Sequence, residues 1–155
     1  MIQSPVKPSH HTRKAEVQAL LSVVACGPKH GLAGLEVIAD PGSSGEYFLP
    51  FSLGAEDPSD REYVYAGLAT AIDKLRSLHI DRVLILVDDE VLIDELERRA
   101  QPPKELFLQY VIVGCKLNEF HRAKIVMSHS ARLEELRVRT KGLAATIYSA
   151  AAGQS

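Results

Sequence analysis

The sequence predicts an α/β domain built on a mixed five-stranded sheet, three antiparallel strands followed by two parallel ones, flanked by helices. Three observations predict it. Residues 17–53 break into three apolar runs separated by Gly- and Pro-bearing turns. At Ser59 the apolar period changes to helical spacing. Beyond it, two further apolar runs each follow a helical segment, and a strand reached through a helical crossover lies parallel to its neighbour.

The elements follow in order. Val17–Ala25 is apolar and rich in β-branched residues, and it stops at Cys26-Gly27-Pro28-Lys29-His30-Gly31, a turn. Residues 32–39 form its hairpin partner, closed by Asp40-Pro41-Gly42-Ser43-Ser44-Gly45. Residues 46–53 (Tyr47, Phe48, Leu49, Phe51) form a third strand, and Pro50 demands an edge or a bulge because it has no N–H to give. From Ser59, Val64, Leu68, Ala71, Ile72, Leu75 and Leu78 recur at helical spacing, with Asp60, Arg61, Asp73, Lys74 and Arg76 on the other side. Arg82–Val87 is a continuous apolar run, which predicts a central strand. Residues 91–99 read as a short charged helix ending before Pro102-Pro103. Residues 104–120 read as a longer one with Phe107, Tyr110, Val111, Gly114 and Leu117 on one face. A fifth strand at 124–127 and a helix at 133–148 complete the domain, expected to span residues 15–148 between a flexible arm (1–14) and a tail (149–155).

Bulk properties narrow the function classes. The 155 residues suffice for one domain with a real core. At 46% apolar and 25% charged the composition is ordinary for a globular protein. A net charge of -2 gives no global basic field, so nucleic acid would have to meet a local patch. Cys26 and Cys115 fit neither a disulfide framework nor a zinc site and suit a reducing cytoplasm. No run of about 18 apolar residues predicts a membrane span. The first residues, through His10-His11, lack the apolar core of a signal peptide. No Gly cluster is followed by Lys-Ser/Thr, so a P-loop is absent.

Several motifs together resemble the ribonuclease H-like superfamily, in particular its short prokaryotic type. Pro28-Lys29-His30-Gly31-Leu32-Ala33-Gly34-Leu35-Glu36-Val37-Ile38 is similar to that family's first hairpin, and Arg61-Glu62-Tyr63 with Ala66-Gly67-Leu68 to its first helix. Val83 to Val87 running into Asp88-Asp89-Glu90-Val91-Leu92 resembles its strand-to-helix element. Ile125-Val126-Met127-Ser128-His129 sits where the family has a strand leading to a mobile His, and Leu143-Ala144 matches its last helix.

The resemblance implies a site in which four carboxylates hold two Mg²⁺ ions. Glu62 and Asp88 match the second and third carboxylates, and His129 matches the His that assists product release. The first falls on Val23, and the fourth on Lys141 or Arg139. Two ions about 4 Å apart need more negative charge than two carboxylates provide, and a nearby cation repels them further. The resemblance thus implies a degenerate site, in which Lys141 or Arg139 pairs with Glu62 or Asp88 in place of the metals.

Plainer readings stand beside these. Ser59-x-x-Glu62 is a capping box, and Asp88 or Asp89 can N-cap the helix that follows. Arg132, Arg137, Arg139 and Lys141 can track a phosphate backbone, or form a solvated face paired with Glu134 and Glu135. The expected function is binding of RNA or an RNA–DNA hybrid by a cytoplasmic pseudoenzyme that needs no cofactor. The alternative is a protein-interaction scaffold. Residual endoribonuclease activity with Mg²⁺ or Mn²⁺ at Glu62 and Asp88 is the outside reading. The oligomeric state is not legible.

Overall fold

The computed structural model describes residues 16–39 and 42–153, with side chains to Ile147. The expected N-terminal arm, His10-His11 included, lies outside the described residues, as do Asp40-Pro41 of the second turn. In chain order the elements are β1 (Val17–Ala25), β2 (His30–Ala39), β3 (Ser43–Ser52), α1 (Asp60–Ser77), β4 (Arg82–Val87), α2 (Glu90–Leu96), a 3₁₀ turn (Lys104–Leu106), α3 (Phe107–Leu117), β5 (Arg122–Met127) and α4 (Ala131–Gly153).

The sheet order is β3-β2-β1-β4-β5. β1, β2 and β3 are antiparallel, whereas β4 runs parallel to β1 and β5 parallel to β4. Pro50 lies on β3, the edge strand, where its missing N–H costs no ladder bond. β4 is central, as its unbroken apolar run predicted.

Alternation along the strands makes two cores. Ala19, Leu21, Ala33, Leu35, Val83 and Ile85 face the layer of α1 and α3, where Leu68, Ile72 and Leu75 meet them. Leu20 points the other way, into a smaller cluster with Leu133 and Leu136 of α4. α4 comes very close to β2: a Cβ on Gly34 would stand 2.0 Å from Thr140 Oγ1, so only glycine fits there.

α1 begins with both halves of the capping box. Ser59 Oγ accepts from the Glu62 N–H at 3.3 Å, and Glu62 Oε2 accepts from the Ser59 N–H at 2.9 Å. Most element boundaries shift by a few residues from the sequence reading, and the largest differences fall in the last two helices. The helix expected at 104–120 starts with a 3₁₀ turn, and its inward residues are Leu106, Tyr110, Val113 and Leu117, while Phe107 and Val111 face outward. The segment is apolar nearly all round, so periodicity alone could not choose its buried face. α4 begins at Ala131 and runs on to Gly153, through most of the expected tail.

Candidate nucleic-acid interface

At the carboxyl ends of β1 and β4 the sheet opens into a cleft of about 530 Å³. Leu21, Ser22 and Val23 come from β1 and Val64 from α1. Asp88 and Asp89 come from the turn after β4, and Ser128, His129 and Ser130 from the turn after β5. Leu133, Glu134 and Arg137, on the first two turns of α4, form the remaining wall.

The two aspartates have different duties. Asp89 is the N-cap of α2, accepting from the Leu92 N–H at 3.0 Å, and it also receives Arg61 Nη1 at 3.2 Å. Arg61 continues to Glu95, with Nη2 2.5 Å from Oε1, and the buried Tyr65 hydroxyl donates to the same oxygen at 2.7 Å. This network ties α1 to α2 and fixes the turn that carries Asp88. Burial first, and then the Glu95 carboxylate, push the Tyr65 hydroxyl well above its ordinary pKa. Asp88 itself projects into the cleft, its Oδ1 3.5 Å from His129 Nδ1, with both side chains largely exposed.

Asp88 and His129, which the sequence named, therefore meet. Glu62 does not join them: its carboxylate is held in the capping box, and Val64, two residues on, lines the cleft instead. Val23 lines the cleft as well, packed against Gly67 of α1.

The expected ion pair between Lys141 or Arg139 and Glu62 or Asp88 is not formed among the described residues. Arg139 binds Glu46 on β3, and Lys141 is exposed. The helix turn explains the miss: two residues on from Arg137, position 139 is rotated by about 200° and meets β3 instead of the cleft. The cation that reaches the cleft is Arg137. It is hydrogen-bonded to Glu134 and its pKa is raised first by that carboxylate, with Asp88 contributing at longer range. Arg137 in turn holds the Glu134 carboxyl below its usual range. Arg132 places Nε and Nη2 on one oxygen of the buried Glu36, at 3.1 and 2.7 Å.

Sequence reasoning missed Val64, Ser22 and the Ser128/Ser130 pair. The glycine inside α1 was the available signal for Val64. A helix glycine marks close approach to the sheet, and the residue one turn earlier shares that face. Among the described residues no three His, Cys, Asp or Glu side chains converge as a metal-ligand group. Asp88 is the cleft acid left for a metal once Asp89 and Glu134 are engaged, so the residues present do not fit a two-metal centre.

No protein-family profile and no curated protein matches the chain. Solved structures do. The N-terminal RNase H domain of a Mycobacterium tuberculosis protein superposes with a TM-score of 0.70 at 17% identity, covering 90% of this chain and 99% of that one. RNase H1 from the halophilic archaeon Halobacterium salinarum gives 0.66 at 16% identity, covering 77% and 90%. LC11-RNase H1, solved with an RNA/DNA hybrid, gives 0.62 at 15%, covering 77% and 92%. Identities this low carry the fold alone, and the fold is ribonuclease H-like.

Proposed function

We propose that this ribonuclease H-like domain binds RNA or an RNA–DNA hybrid at the cleft without hydrolysing it efficiently. The observation that carries the reading is the composition of the cleft. Val23 and Val64 occupy its walls, Asp89 and Glu134 are engaged by arginines, and Asp88 stands beside His129. Such a site offers phosphate oxygens the Arg137 guanidinium and the serines of the β5–α4 turn, but little negative charge for divalent ions. The hybrid bound by LC11-RNase H1, a structure of the same fold, supports the choice of ligand. Any residual Mg²⁺- or Mn²⁺-dependent cleavage would rest on Asp88, with Glu62 outside the cleft lining. The free thiols Cys26 and Cys115 support a reducing, cytoplasmic setting.

A second reading, a protein-interaction domain that does not bind nucleic acid, is favoured by a different fact. Arg132, Arg137 and Arg139 each have a carboxylate partner within the chain, which leaves less cationic surface for phosphates. A salt titration of binding to an RNA–DNA hybrid separates the two readings, because phosphate contacts weaken steeply as salt rises. Absence of binding at low salt removes the first reading. Cleavage of hybrid in Mn²⁺ that Asp88→Asn abolishes would overturn its non-hydrolytic part.

A further inference from the structure

α3 buries one face and leaves the other bare. Leu106, Val113 and Phe120 are buried, with Tyr110 and Leu117 packed against the core. On the far side Leu108 is 68% exposed, Phe107 52%, Val111 43% and Ile112 41%, and Cys115 is exposed beside them. None of the cleft residues lies on this helix. Apolar side chains gathered into a contiguous exposed patch mark an interaction site more often than a bare monomer surface.

The order of residues along that stripe points to what covers it. Leu108, Val111, Ile112 and Cys115 fall within about 50° of one line down α3, with Lys104 in the 3₁₀ turn before the helix and Glu119 in the turn after it. Their spacing reads the same in both directions, and the two exposed ends carry opposite charges. A twofold axis between Val111 and Ile112 would place Leu108 against the second copy's residue 115 and Lys104 near its residue 119, with Val111 and Ile112 each beside the axis and facing its own copy. Every contact away from the axis is then made twice, which is the condition for a closed, isologous dimer. A parallel pairing would instead set Lys104 against its own copy and Glu119 against its own, both repulsive.

We infer that this face of α3 is a homodimer interface, in which two copies pack their α3 helices antiparallel about that axis. One helix face lies at the small end of specific interfaces, below about 1,200 Å². The dimer is therefore reversible and depends on concentration.

Sedimentation of the full chain over a range of concentrations tests this, with circular dichroism confirming that each variant folds. A monomer–dimer equilibrium is expected, lost in Leu108→Asp. Lys104→Glu is expected to weaken association about fivefold, and Lys104→Glu combined with Glu119→Lys to restore it. Oxidant is expected to cross-link Val111→Cys in a background of Cys26→Ser and Cys115→Ser, because that position lies next to the axis. The natural sequence is expected to form no intermolecular disulfide through Cys115, which the antiparallel arrangement keeps roughly 10 Å from its copy along the helix axis alone. A monomer at every concentration overturns the proposal. Ready Cys115 cross-linking, or charge reversal without rescue, overturns the antiparallel arrangement.

Discussion

Val23 of β1 stands directly against Gly67 of α1: a Cβ on that glycine would lie 2.5 and 2.6 Å from the two Val23 γ-carbons. A helix interior ordinarily favours alanine over glycine by about 1 kcal/mol. Here the clash outweighs that gain, since overpacking costs about 1–3 kcal/mol. Gly67→Ala is expected to lower the urea midpoint, and adding Val23→Ala to recover most of the loss. Additive losses in the double variant would mean that the two residues do not share this contact.

Arg61 is expected to matter more for stability than its surface position suggests. Its removal strands Glu95, whose side chain is 4% exposed, as a buried carboxylate with Tyr65 as its remaining partner. Arg61→Ala is expected to cost about 3 kcal/mol in denaturant unfolding. Combining it with Glu95→Leu should cost less than Arg61→Ala alone, because the unpaired charge has gone.

Tyr65 gives the molecule an alkaline limit. Its pKa is raised in the folded chain by burial and by Glu95, from an ordinary value of 10.0. The unfolded chain therefore loses this proton first as pH climbs, and stability falls above pH 10. Thermal melts across that range should decline less steeply for Tyr65→Phe than for the natural sequence. Parallel declines would place the alkaline sensitivity elsewhere.

Glu134 and Arg137 should act on hybrid binding with opposite signs. Arg137→Ala removes a phosphate contact, so affinity should fall and the salt slope should shrink by about one. Glu134→Gln releases Arg137 from its carboxylate and should tighten binding. Fluorescence anisotropy at several salt concentrations reads both. Equal affinity in all three proteins would remove the α4 wall from the interface.

Much of the fold was legible because it is written in local pattern. β4 announced itself as an unbroken apolar run ending in two acids, and Ser59 and Glu62 announced the start of α1. What was not legible depends on contacts between distant residues. Arg139 meets Glu46 and Arg132 meets Glu36, each more than ninety positions away, and no spacing rule foresees them. The site was half legible for the same reason. Asp88 and His129 follow from the strand ends that carry them, but Val64 rather than Glu62 enters the cleft because of how α1 is rotated against β1.

Glu36 and Glu46 sit opposite each other on β2 and β3, and their arginine partners are two turns apart on α4. With Thr140 seated over Gly34, these pairs index the helix on the sheet like a key in its wards. A slip of one turn, about 5.4 Å, would break both pairs together and carry Thr140 off the glycine it fits. Because Glu134 and Arg137 ride on that helix, the far strands set the aperture at its near end. The height of Glu134 and Arg137 on the cleft wall is thus set by contacts made out at β2 and the edge strand β3.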